Sequence, residues 1–462
     1  MKILRAASGG VLGILCFCLL QSCGGYSSSV ETLLPSTVNL SINPASVAVG
    51  QSATLTWSST VGTTCTASGA WSGAKSDTGT ESVTPTVAGS QMFTLVCVGS
   101  IYASSSTSQV LSVAAASTFT LTDLVADTAG GTAMTVDPNL INPWGLAIAA
   151  GSAPAWVSNN GSQTSTLYDG NGIPQPPGTP LIVSLAAGAS GAFSPTGVVA
   201  NASTTDFLVS AAGSTAAAAF IFDGAGGMLA GWSAGVDPTH AVTTYTDAAG
   251  AVYKGLAIAT NAGGLFLYAT DFHNNKIDVF NTSFVKQTAS SSSFTFVDPR
   301  MPPGYAPFGI QAFNNGANGA TQIYVTYAQQ SAPANQTIVS GAGLGFIDIF
   351  DTNGQLLISQ FVAVGELNAP WGLALAPADF GTFGGALLVG NVGDGKINAY
   401  NAASGAWLGA LSDASNAPLV TAGLLGLAFG NDANAQPHNT LFFTAGPNAG
   451  ADGIYGRIDL SQ

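Results

Sequence analysis

The chain has 462 residues, 47% apolar and only 7% charged, with 58 glycines, the palette of a folded, turn-rich β protein. Nine basic residues stand against 23 acidic ones, for a net charge of −14. Such a surface repels a phosphate backbone, which excludes nucleic acid as a partner.

Lys2 and Arg5 precede an apolar run over residues 11–20, too short to span a bilayer and the right length for a signal-peptide core. The run ends in Leu20-Gln21-Ser22-Cys23-Gly24-Gly25. This resembles a bacterial lipobox, with Gln21 where a small residue is commoner. The resemblance implies that residues 1–22 are a lipoprotein signal peptide and that Cys23 is acylated. The protein is then exported and lipid-anchored in the cell envelope, at the outer membrane by the pattern of Gly24. Ordinary cleavage, leaving Cys23 a free thiol, is the alternative. Residues 23–36 are Ser-rich and read as a tether.

Cys16 and Cys18 fall in the signal and Cys23 takes lipid, which leaves Cys65 and Cys97 to form a disulfide in an oxidising compartment. No cysteine follows Cys97, so thiolate zinc, iron–sulfur and c-type haem sites are excluded from the rest of the sequence.

Residues 37–115 read as short alternating strands. Ala53, Leu55 and Trp57 share one face, and Phe93, Leu95 and Cys97 share another. The strings Leu55-Thr56-Trp57-Ser58-Ser59, Cys65-Thr66-Ala67-Ser68-Gly69 and Phe93-Thr94-Leu95-Val96-Cys97 resemble bacterial Ig-like modules, which implies a β-sandwich acting as a spacer.

From residue 118 onward a unit of fifty to seventy residues repeats six times. Each copy opens on a glycine before an apolar run: Trp144-Gly145-Leu146, Thr196-Gly197-Val198, Lys254-Gly255-Leu256, Phe308-Gly309-Ile310, Trp371-Gly372-Leu373 and Leu425-Gly426-Leu427. Each later carries an apolar residue followed by Asp or Asn: Tyr168-Asp169, Phe222-Asp223, Phe280-Asn281, Phe350-Asp351, Tyr400-Asn401 and Ile458-Asp459. These are strand ends feeding tight turns. A middle strand lies between the two markers and an outer strand follows, giving four strands per unit. Such a period suits a propeller blade. The sixth copy lacks an outer strand, and residues 119–126 stand as an orphan strand ahead of the first, so the orphan is expected to close the last blade. Residues 329–345, inserted in the fourth copy, read as a loop.

The expected fold is all-β: a six-bladed β-propeller over 118–462 behind an N-terminal Ig-like β-sandwich. The repeat resembles NHL-type propellers, best seen in Leu267-Tyr268-Ala269-Thr270-Asp271-Phe272-His273-Asn274-Asn275-Lys276. As a whole, Asp137-Pro138-Asn139-Leu140-Ile141-Asn142-Pro143-Trp144-Gly145-Leu146 and Phe442-Phe443-Thr444-Ala445-Gly446-Pro447 resemble a family of uncharacterised bacterial exported propellers.

Up-and-down strand order puts first-strand starts and second-strand ends on one face, where Trp144, Phe308 and Trp371 meet Asn159, Asn160, Asp271, His273 and Asn391. Aromatic faces with amides suit a neutral, hydroxyl-bearing ligand, so the expected partners are a carbohydrate, peptide or protein. The bland reading has the aromatics packing between blades and the Asn and Asp side chains serving their own turns.

An exported hydrolase or lyase at the same face is the competing class. Metal-dependent lactonase-type propellers carry carboxylate and amide ligands just before first-strand glycines. Here those positions hold Trp144, Thr196, Lys254, Phe308, Trp371 and Leu425, so no metal is expected. No cofactor motif is present, and no cofactor is expected. Gly231-Trp232-Ser233-Ala234-Gly235 spells a hydrolase nucleophile motif without the strand-to-helix turn it requires. His240, His273 and His438 offer little for acid–base work, and Asp271 with His273 is the one pair to consider.

Overall fold

The computed structural model describes residues 33–185, 192–290 and 293–461. The signal segment, Cys23 and the tether up to residue 32 lie outside the described residues. By contacts the chain groups into a smaller unit, made of residues up to Ile42 with Thr54–Glu81 and Gln91–Val110, and a larger one of Asn43–Ala53, Ser82–Ser90 and the chain from Leu111 onward.

In the smaller unit, strand Thr64–Gly69 lies between Gly73–Lys75 and Gly89–Val98, with Cys65 directly opposite Cys97. The two cysteines are joined by a disulfide at a Cα–Cα distance of 4.0 Å. Alternation places Leu55, Trp57, Trp71, Phe93 and Leu95 inside. The Trp71 ring stands edge-on to Trp57 at 5.4 Å and to Phe93 at 6.2 Å, so one indole fills the middle of this small core.

The larger unit is a propeller-type fold of strands and connecting turns, with almost no helix among the described residues. The first sheet runs Pro143–Ile148, Ala155–Asn159, Thr164–Tyr168, Ile182–Ser184, each strand antiparallel to the next. The fourth runs Tyr305–Phe313, Gln322–Gln330, Phe346–Asp351, Leu356–Ala363, and the fifth Pro370–Leu375, Leu387–Asn391, Ile397–Tyr400, Trp407–Ala410. In the sixth, Leu424–Phe429, Leu441–Ala445 and Ile454–Leu460 are followed by Phe119–Ala126, which pairs antiparallel from Ile454↔Ala126 to Leu460↔Phe119. Each sheet's innermost strand packs against the next sheet's, and Leu424–Phe429 returns to Pro143–Ile148, so the sheets surround a common axis. The core is distributed: an apolar cluster fills each space between neighbouring sheets.

Three local readings are corrected. In the second sheet the stretch between the two markers leaves the sheet as a separate hairpin, Leu208–Ala211 with Ser214–Ala217. Pro195–Ala200 therefore pairs directly with Phe220–Gly224, and Phe222-Asp223 ends a second strand rather than a third. The cause is packing, because Phe207, Val209 and Ala218 are drawn into the core between the second and third sheets. The third sheet has three strands, Tyr253–Asn261, Gly264–Asp271 and Lys276–Phe280, and no fourth among the described residues. The segment after Phe280 has no alternating apolar face, and Lys286 is held by Asp247 at 3.0 Å and Asp278 at 2.8 Å. The insertion in the fourth copy is not all loop: Gln329 and Gln330 extend the second strand, and Ile338–Val339 pairs beside them.

Candidate functional site

The six marker glycines meet around the axis. A Cβ on Gly309 would stand 2.1 Å from the Trp371 carbonyl oxygen, one on Gly372 2.2 Å from that of Leu425, and one on Gly426 2.6 Å from that of Trp144. Only glycine lets neighbouring inner strands approach this closely. Threonines of the second strands hold the same seam: Thr444 Oγ1 accepts from Gly426 N at 2.8 Å and donates to the Trp144 carbonyl at 2.6 Å, and Thr270 donates to the Phe308 carbonyl at 2.9 Å. Below this collar is a cavity of about 410 Å³ walled by the small apolar ends of the inner strands, among them Ala147, Ala257 and Ala374.

Above the collar the residues just before the glycines converge. The Trp144 ring lies edge-to-face against Phe308 at 6.1 Å and Trp371 at 5.8 Å. Trp371 Nε1 donates to the Lys254 carbonyl at 2.8 Å, tying the fifth sheet to the third. Trp144, Phe308 and Lys254 floor a hollow of about 350 Å³, whose walls include Ile338 of the inserted segment, Val392, Leu425 and the turn at 447–450. Lys254 Nζ sits 5.0 Å from the centre of the Trp144 ring, within cation–π range. Among the described residues it has no hydrogen-bond or ion-pair partner, and Trp144 Nε1 is buried without an acceptor.

Asp223, beside this group, occupies the second-strand place where Thr270, Thr326 and Thr444 stand in other sheets. Its Oδ1 accepts from Gly197 N at 2.5 Å and Thr196 Oγ1 at 2.9 Å, while Oδ2 is buried and unpartnered. Burial pushes the carboxyl up to about 6 against the pull of these hydrogen bonds and of Lys254. Burial likewise pushes the Lys254 amine down to about 8, and Asp223 partly restores it.

The structure brings together Trp144, Phe308 and Trp371 of the residues singled out from sequence. The polar ones turn elsewhere. Asn159 Nδ2 donates to Thr166 Oγ1 at 2.9 Å and to Thr164 Oγ1 at 3.2 Å. Asn160 donates to the Ser194 and Pro195 carbonyls, and Asn391 spans Glu366 O and Asn368 N. Asp271, fully buried, accepts from Val252 N and Asn274 Nδ2. His273 is half-buried, with Nδ1 3.0 Å from Ala334 O, and it does not pair with Asp271. Ser233 follows strand Met228–Trp232 into a turn, not a helix. Lys254 and Asp223 were not among the singled-out residues, although Lys254 is the one charged residue at the six pre-glycine positions.

No known family profile matches the chain. It is 32% identical over 339 residues to Uncharacterized protein R648 of Acanthamoeba polyphaga mimivirus, covering 71% of this chain and 76% of that protein. It is 30% identical to Uncharacterized protein L690 of the same virus, covering 71% of this chain and 82% of that protein. A Bacteroides thetaiotaomicron structure of unknown function aligns over 92% of this chain and 98% of its own, at 10% identity and a TM-score of 0.42, too distant a likeness to bear on function. These relatives overturn the resemblance to a bacterial exported family, since the sequence kinship that is found runs to viral proteins. The chain belongs to the family of the mimivirus proteins R648 and L690.

Proposed function

We propose that this chain is a lipid-anchored envelope protein in which a six-bladed propeller, carried on an Ig-like spacer (residues 37–115), binds a carbohydrate, peptide or protein at the upper mouth of its axis. One observation carries the binding reading: Trp144 and Phe308, from two different sheets and with Trp371 packed against Trp144, floor a hollow of about 350 Å³ that the unpartnered Lys254 also lines. A concave apolar floor with a few uncommitted polar groups is the usual form of a small-ligand site. Purified protein screened against glycans and metabolites by thermal shift should give at least one stabilising compound, and Trp144→Ala should abolish that shift. Equal shifts in both proteins would place the ligand elsewhere.

The anchor rests on Cys23 following a signal core and preceding a Ser-rich tether. Cys23→Ser should release the protein from the membrane fraction. Retention of that variant through detergent-free washing would overturn the anchor.

A further inference from the structure

The carbonyls at the inner end of the mouth are already committed. The Trp144 carbonyl is taken by Thr444, that of Phe308 by Thr270 and that of Lys254 by Trp371 Nε1. Lys254 Nζ and Trp144 Nε1–H remain uncommitted there, while Gln336 and Thr337 add neutral polar side chains to the wall. Of the rim amides, Asn142 donates to Asn160 and Asn448 to Asp452. Among the described residues, Lys254 is the only charged one lining the hollow. A carboxylate only accepts, and it pairs with an ammonium by charge as a neutral hydroxyl does not.

We propose that the ligand of the mouth is a small molecule bearing a carboxylate on a compact apolar or sugar-ring body, the carboxylate received by Lys254 Nζ and Trp144 Nε1 and the body resting among Trp144, Phe308, Ile338 and Leu425. This rests on the mouth being the binding site. Two departures from the repeat coincide here, a lysine where the other sheets place Trp, Thr, Phe, Trp and Leu, and an aspartate where three of them place threonine. Asp223 fits as the resting counter-charge of Lys254: it does not line the hollow, its Oδ1 is committed to the collar, and it is the one charged group acting on the lysine. A carboxylate entering the low-dielectric mouth meets a charge-assisted donor, stronger than a neutral one. The acidity of the rest of the chain does not forbid this, because charges more than about 8–10 Å away are largely screened at physiological salt.

The test titrates the purified chain with matched pairs: benzoate against benzyl alcohol, 3-phenylpropionate against 3-phenylpropanol, and glucuronate against glucose. At pH 7 at least one acid should bind roughly tenfold or more tighter than its neutral partner, and Lys254→Met should remove that preference. Should the variant fail to fold, the wild-type profile serves instead. Affinity for the acid should fall by roughly tenfold per pH unit above about 8, as Lys254 loses its proton while Asp223 and the ligand are already ionised. Neutral compounds binding as tightly as acids, with binding lost in Trp144→Ala, would overturn the carboxylate and leave the mouth standing. An acid preference that survives Lys254→Met, or persists unchanged above pH 8, would also overturn it. Silence of every probe at ~1 mM, a binding energy of only about 4 kcal/mol, would overturn it together with the mouth reading.

Discussion

Asp223 does with a charge what its counterparts do with a hydroxyl. Thr326 and Thr444 accept the marker-glycine N–H through neutral oxygens, whereas Asp223 receives Gly197 N on a carboxylate with no exposed surface. Burying that charge is unfavourable, which is why the folded group holds its proton to about 6 against 3.8 when free. A carboxyl raised on folding contributes stability that is fully present below its unfolded value and is lost as pH rises through its folded value, here between about 4 and about 6. Asp223→Asn keeps an acceptor for Gly197 and Thr196 and removes the charge. The variant should be more stable than wild type at pH 7 by up to about 3 kcal/mol, the gap closing towards pH 4. Denaturant unfolding at both pH values measures it; a gap that is unchanged at pH 4, or a less stable variant at pH 7, would refute the account. The three aromatic site residues are legible in sequence because the repeat register fixes them one position before glycine. Asp223 is not, because the hairpin at 208–217 shifts it from the third strand to the second and so from a turn to the collar.

At the scale of the strand, the x-Gly-apolar opening is readable because its cause is local and repeated six times. At five of the six glycines a Cβ would stand within 2.6 Å of the next strand's backbone, and at Gly255 it would stand 3.0 Å from the Phe308 carbonyl oxygen. The Asp and Asn markers are readable for a similarly local reason. Asp169 Oδ1 accepts from Asn171 N and Ile173 N, Asn281 Oδ1 from Ser283 N and Val285 N, and Asp351 Oδ1 from Asn353 N and Gln355 N, one turn made three times. What the repeat does not carry is the outcome of contacts between distant segments. Phe284 packs on Phe207 at 5.2 Å, linking the segment that fails to become a fourth strand to the hairpin that leaves the second sheet. The two irregularities are therefore one event: the hairpin occupies, through Phe207 and Val209, apolar surface between the second and third sheets, and Phe284 follows it there. The same limit explains Asn160 and Asn391, whose register points to the mouth while nearby carbonyls and N–H groups compete for their amides and win.

Over the whole molecule, the arrangement depends on two segments more than three hundred residues apart in sequence. Strand Phe119–Ala126 lies on Ile454–Leu460, so the sixth sheet is assembled from both ends of the larger unit's principal segment. The closing strand also reaches both neighbouring cores. Phe119 stacks on Phe383 at 5.9 Å and meets Phe380 at 5.0 Å towards the fifth sheet, while Leu124 and Val125 join the cluster shared with the first. Its removal would uncover an edge of Ile454–Leu460, an unpaired row of N–H and C=O groups open to aggregation. It would also forfeit the burial of Phe119, Leu124 and Val125, each at most 3% exposed, at about 1.5–3 kcal/mol per side chain. A chain beginning at residue 116 should therefore keep a single cooperative unfolding transition, while one beginning at residue 127 should melt well below it and associate through the uncovered edge. Calorimetry with light scattering on the two truncations decides the point. Equal melting temperatures would mean that Ile454–Leu460 is stable without its partner and that the sheets hold their circle by the glycine collar alone.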